Sequence, residues 1–446
     1  MRGLVCAVLV AVSGAAADLQ YDLQLAYAGD GTLVGSAEIT GVAPAAWGEV
    51  VLRVYPGTGN LWPVGFAANG DRRDAAAVGN HAVTFPVELA AGQTFSLAVD
   101  FRGRVPVFAA SQGYGTFARS AGAVVLAQAY PMLAPWRGGW IAWPNYRWGD
   151  AVVAEVADYS ATFTFPPDWA VVSGGVECTR GPGRAEVRGE SLRELVVILL
   201  RGYETSIQTV GQIQVRSFYL PAHRVPGQAA LQVTAEALQI YQERLGPYPF
   251  PQLDVVEVPL QEAAGVEYPG LILAGEEYYE RYPRDDLFFP MIFAHEVAHQ
   301  WWYAQVGNDQ VAEPWLDEAL ATYTSGLYFQ TQGRLASLVA YWEDGYRRGT
   351  RRAPATNVSS PVWAFGPHGA GYSGVVYSGG ALFLHQLRGR MGDEAFWLAL
   401  RRYLSAFRWD MAQAQDFLSI LAAESPAPID ELVARWLELA LPAPRP

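Results

Sequence analysis

The sequence predicts a multidomain chain: an all-β segment over residues 18–205, then an α+β segment over residues 206–446. Three observations predict it. With 446 residues, 51% hydrophobic and 17% charged, the chain is long enough to bury two cores. Up to about Tyr203, apolar residues recur with a period of two between Gly- and Pro-rich breaks, the pattern of half-buried antiparallel strands. Beyond Pro226 they recur at helical spacing.

Residues 1–17 read as a secretory leader, with Arg2 at its start, an apolar run Leu4–Val12, and Ala15-Ala16-Ala17 before Asp18. That run is too short to span a bilayer and no later stretch is longer, so an exported protein, periplasmic or extracellular, is expected to carry no membrane span after cleavage. Tyr21, Leu23 and Leu25 then alternate with polar residues before Gly29-Asp30-Gly31. Val51, Arg53 and Tyr55 repeat the alternation, as do Phe95, Leu97, Val99 and Phe101, and Tyr159–Phe165 gives the clearest period of two. A further β-rich stretch, Ile207–Tyr219, bridges the two patterns. Gln228–Leu245 places Leu231, Ala235, Leu238, Tyr241 and Leu245 on one helical face and stops at Gly246-Pro247. A strand is expected at Leu253–Pro259, and helices at Leu287–Val306, Glu313–Gln330, Tyr377–Met391, Asp393–Phe407 and Ile429–Leu441.

Composition removes several function classes. All 31 basic residues are Arg, which excludes lysine Schiff-base chemistry and Walker-type phosphate binding. A formal net charge of −13 disfavours nucleic acid as a partner. Cys6 lies in the leader, so Cys178 is left alone in the mature chain, with no internal disulfide, and reads as a small buried filler.

The most informative local pattern is His295-Glu296-Val297-Ala298-His299, with Glu318 following nineteen residues after the second histidine. Residues four apart on a helix share a face, so both imidazoles can converge on one ion. Two histidines and a carboxylate leave a fourth position for water, the ligand set of a catalytic zinc. A shuffled chain of this composition would contain the pentad roughly 0.008 times. The bland alternative, a buried helix with satisfied histidines, must bury a glutamate between them with no cation nearby, which is costly. One zinc per chain on His295, His299 and Glu318 would bring the pKa of bound water toward about 7 and polarise a carbonyl. Glu296, not a ligand, could then take the water proton and pass it to the leaving group.

This spacing resembles the gluzincin aminopeptidases of the aminopeptidase N and leukotriene-hydrolase type, and other segments agree in order. Gly246-Pro247-Tyr248-Pro249-Phe250-Pro251 before Leu253–Val258 is similar to the start of that family's thermolysin-like domain. Ala264-Gly265-Val266-Glu267-Tyr268-Pro269-Gly270 resembles its exopeptidase motif, and Tyr377-Ser378-Gly379-Gly380-Ala381 resembles the segment with its catalytic tyrosine. The likeness is strong over residues 246–405 and general before 204. It implies a thermolysin-like fold for residues 206–446. It also implies that Tyr377, with Tyr372 as fallback, donates to the oxyanion, and that Glu267, with Gly265 beside it, binds the substrate's α-ammonium.

Val266 stands where the family usually has Met, Tyr268 where Asn is commonest, and Gly379 where Lys is usual. Against the family's pattern, residues 1–446 are expected to lack its large C-terminal helical domain, which would leave the site more open. Asp317 could support Glu318 or be a surface acid, Gln128 could reach substrate from the β domain, and His81, His223, His368 and His385 lack metal spacing. The expected function is thus that of an exported zinc aminopeptidase acting on peptides with a free N-terminus. The alternatives are a zinc endopeptidase with the same site and a noncatalytic peptide-binding protein on the same fold.

Overall fold

The computed structural model describes residues 18–441 except 112, 151 and 285. The leader read in residues 1–17 lies outside them. The N-terminal part is built from three sheets. The largest has eight strands in the order Val176–Gly181, Arg184–Leu192, Ala157–Thr164, Gln20–Tyr27, Thr32–Val42, Thr94–Arg104, Leu61–Ala68 and Asp71–Arg72. Its strands alternate as the sequence requires: Tyr21, Leu23 and Leu25 face inward, as do Phe95, Leu97, Val99 and Phe101.

One pairing departs from the antiparallel expectation. Gln20–Tyr27 runs parallel to Ala157–Thr164, with Leu23 opposite Ala161. Period-two alternation shows which face is buried and is silent on strand direction. A parallel neighbour here needs only a long connection, and more than a hundred residues separate the two strands.

The second part opens at Glu204 with a five-stranded sheet in the order Glu204–Val210, Ile213–Tyr219, Gln252–Val258, Leu271–Gly275, Gly265–Tyr268. The middle strands are parallel and Gly265–Tyr268 closes one edge antiparallel. Leu253–Val258 is buried on both faces, and its two acids are buried with partners, Asp254 with Arg216 and Glu257 with His223. Helices follow at Arg224–Leu245, Phe288–Ala298, Trp315–Thr331, Leu335–Arg352, Gly380–Met391, Asp393–Phe407, Ala414–Glu424 and Asp430–Leu437.

Several helix ends differ from the sequence expectation for local reasons. The first long helix begins at Arg224 because Pro226 fits its opening turn. The motif helix stops at Ala298 instead of reaching Val306: the N–H groups of Gln300 and Trp301 bond back only three residues, to Val297 and Ala298, and Tyr303 at φ +125° bars a helix beyond. Residues Gly374–Gly379 form a π-turn that hands over to an α-helix at Gly380. Glu438 at φ +54° ends the last helix.

The two parts share buried surface. The four-stranded sheet carrying Val125, Val172 and Ile198 lays those side chains against Val256, Val258, Leu271 and Leu273 of the five-stranded sheet. An apolar, sheet-on-sheet contact of this kind fixes the cleft between the two parts. Among the described residues no helix is long and apolar enough to cross a membrane.

Candidate active site

The helix Phe288–Ala298 carries His295 and Glu296, and His299 caps it. Glu318 lies in the first turn of Trp315–Thr331, packed alongside. Nε2 of His295 and Nε2 of His299 are 3.0 Å apart, and Oε2 of Glu318 is 3.3 and 3.5 Å from them. Donors held at 2.0–2.1 Å in tetrahedral array stand about 3.3 Å from one another, so this spacing matches a single zinc ion. Two further observations support the fit. Oε2 of Glu318 is buried with no hydrogen-bond partner. Nδ1 of His299 donates to the Trp302 carbonyl at 2.8 Å, which leaves the Nε2 lone pair for a ligand bond. Thr322 Oγ1 is 3.4 Å from Nδ1 of His295 on the other imidazole.

The electrostatics favour positive charge. Burial disfavours a charge on His299, yet Glu267 and Glu318 override it and raise its proton affinity well above the ordinary range. Burial also opposes ionisation of Glu318, but the adjacent imidazoles of His295 and His299 hold its carboxyl well below the usual carboxylate range. Burial, then the charge of Glu267, pushes Glu296 well up. Burial, then Asp150, does the same to Glu267.

Glu296 is 5% exposed and its Oε2 has no partner. Gly265 explains how it is accommodated. A Cβ there would lie 2.3 Å from Oε1 of Glu296, so only glycine lets the edge strand pass so close. Two residues on, Glu267 is also buried, with carboxylate oxygen, Glu296 oxygen and His299 nitrogen all within 4.8 Å of one another. The strand is held to the motif helix by Gln300, which accepts from Gly270 N–H at 2.9 Å and donates to the Tyr268 carbonyl at 3.0 Å.

The Tyr377 hydroxyl donates to Oε1 of Glu318, and its ring stacks on His295 at 5.7 Å. Burial, then Glu318, raises its phenol well above the ordinary range, so it remains a proton donor. Tyr372 packs edge-on against Tyr377, and its hydroxyl is buried without a partner.

Other residues sort themselves by position. Asp317 is 1% exposed, which removes the surface reading. It accepts from the Glu318 N–H at 2.8 Å and from Gln310 Nε2 at 2.7 Å, and burial pushes its carboxyl up to about 7. Gln310 also reaches toward Glu267 at 3.5 Å. Gln128 is buried at φ +44° and lines a cavity of about 160 Å³ with Glu267, Asp150, His81 and Gln310. His223 pairs with Glu257 away from the metal ligands. Sequence reasoning missed Asp150 and Gln310, which belong to no periodic pattern and reach the cleft from connecting segments.

Residues 229–436 match the family model described as the peptidase family M1 domain. Aminopeptidase M1 of Arabidopsis thaliana is 28% identical over 240 residues, which is 50% of this chain and 26% of the relative. Aminopeptidase N of Streptomyces lividans is 24% identical over 312 residues, 64% of this chain and 36% of the relative. The chain thus spans about a quarter to a third of the length of these relatives. An M1 zinc metallopeptidase from Deinococcus radiodurans superposes with a TM-score of 0.70 at 21% identity, covering 96% of each chain, a likeness of fold. A mutant of that protein has been solved bound to a Tyr-Ser-Ala substrate, with a TM-score of 0.68 at 21% identity and coverage of 96% of this chain and 97% of that one. His295, His299 and Glu318 all fall within the segment, residues 229–436, that is similar to the peptidase family M1 domain.

Proposed function

We propose that the protein is a zinc-dependent aminopeptidase that removes residues one at a time from peptides with a free N-terminus, using one zinc per chain. The observation that carries this reading is the buried acid Glu267, with a carboxylate oxygen within 4.8 Å of Glu296 and His299 and on the wall of the adjoining cavity. His295, His299 and Glu318 would hold the zinc, which when bound supplies a Lewis acid that acidifies water and polarises a carbonyl. Glu267 pairs with the α-ammonium and sets the first peptide bond beside Glu296. Glu296 takes the proton from the attacking water and delivers it to the leaving amine. Tyr377 donates to the carbonyl oxygen as negative charge develops there. Export through a cleavable leader at residues 1–17 is part of the same proposal, and protein recovered from its own cells beginning elsewhere than Asp18 would contradict it.

The test is a panel of aminoacyl arylamides, free and N-acetylated, with metal analysis of the purified protein. Acetylation removes a charge-assisted hydrogen bond of roughly 1.5–3 kcal/mol, so blocked substrates should be slower by about one to two orders of magnitude in kcat/KM. Glu267→Ala should erase most of that difference by slowing the free substrates alone. Equal rates on free and blocked substrates, or internal fragments released first from a long peptide, would make the protein an endopeptidase.

Gly265 offers a second check. Because a Cβ would collide with Glu296, Gly265→Ala should displace that carboxylate. A misplacement of this size costs on the order of 10²-fold in kcat/KM, with zinc content unchanged. Parental turnover in that variant would mean that Glu296 can move without consequence.

A further inference from the structure

Tyr303 lies four residues beyond His299 and holds a backbone conformation, φ +125°, that side-chain-bearing residues rarely adopt. Such a residue persists only where its surroundings hold it there, and two neighbours in the β part do so. Arg193 is 1% exposed, and no carboxylate among the described residues is in hydrogen-bond contact with it. Its guanidinium donates to the carbonyl of Tyr303, to Ala154 at 3.0 Å, to Asp410 at 2.8 Å and to Gln305 at 3.5 Å. Gly307 makes room for it, since a Cβ there would sit 2.4 Å from the guanidinium carbon. Glu194 is fully buried and accepts from the Tyr303 hydroxyl, while its other oxygen has no partner. Consecutive residues therefore grip one tyrosine by its backbone and by its phenol.

The residue before that tyrosine is Trp302, whose carbonyl receives Nδ1–H of His299. The direction of that carbonyl is set by the peptide unit joining Trp302 to Tyr303. We propose that Arg193 and Glu194 are positioning residues for the metal ligand His299: by clamping Tyr303 they fix the carbonyl that selects the imidazole tautomer and aims Nε2 at the zinc. The clamp belongs to the β part, so that part contributes to metal retention as well as to the walls of the cleft. This inference rests on the zinc reading above.

The test follows zinc release from the full-length protein into excess chelator, alongside thermal unfolding. Removing a partner that orients a histidine ligand typically weakens metal binding 10–100-fold. Arg193→Met and Tyr303→Phe should release zinc about that much faster than the parent. Val99→Ala, a truncation in the eight-stranded sheet away from this turn, should lower the unfolding temperature and leave release at the parental rate. Faster release from Val99→Ala to the same degree would reduce the clamp to general stability and overturn the inference. So would parental release from the two clamp variants. If Arg193→Met does not fold, Tyr303→Phe, which removes only the hydroxyl, decides alone. A parent that binds no zinc would sink the zinc reading and this one together; a parent that binds it and variants that release it no faster would sink the clamp only.

Discussion

Glu296→Gln should keep its zinc and lose roughly 10²–10⁴-fold in kcat, the usual worth of a positioned acid–base group. Gln matches Glu in shape, so Gly265 still passes and the ligand triad is untouched, but an amide cannot carry a proton from water to the leaving amine. No hydrogen bond holds Oε2 of Glu296, so little structure is lost with its charge. Burial and the neighbouring Glu267 already disfavour the carboxylate, and its neutralisation should therefore cost the fold nothing. Metal analysis and steady-state kinetics on the same preparation read the result. Near-parental kcat would transfer the proton-moving role to another group.

Tyr377→Phe should lower kcat by on the order of 10²–10³-fold without a matching rise in KM, since an oxyanion donor acts on the transition state and hardly on the bound peptide. The hydroxyl rests on Oε1 of Glu318, beside His295 and His299. Tyr372→Phe, which removes a buried hydroxyl without a partner, should do far less. The opposite ranking would move the role to Tyr372.

The convergence of His295, His299 and Glu318 was legible because its spacing is local: four residues on a helix determine a face whatever surrounds them, and Glu318 follows on the next helix. The buried strands were legible for the same reason, as Tyr21, Leu23 and Leu25 show. What the pattern could not carry is long-range. The parallel pairing of Leu23 with Ala161 depends on chain routing. The helix Leu335–Arg352, absent from the sequence expectation, carries Gly345 and Gly349 in its interior at a cost of about 1 kcal/mol each relative to Ala. They are there for close approach: a Cβ at Gly345 would meet Ser378 Oγ at 2.5 Å, and one at Gly349 would meet the Gly374 backbone at 2.8 Å. Asp150 and Gln310 join the cleft from connecting segments. Arg193 and Glu194 sit at a strand end, where their charge suggests solvent and their burial shows otherwise.

Gln300 ties the edge strand carrying Glu267 to the helix carrying Glu296 and both histidines. The span between the acid proposed for the amine and the group proposed for the water is thus a dimension internal to one part of the protein. Tyr55, His81 and Gln128, which line the adjoining cavity, come from the other part. The Glu267–Glu296 spacing is therefore set within the second part, whereas the cavity beside it is walled from both and changes shape with either.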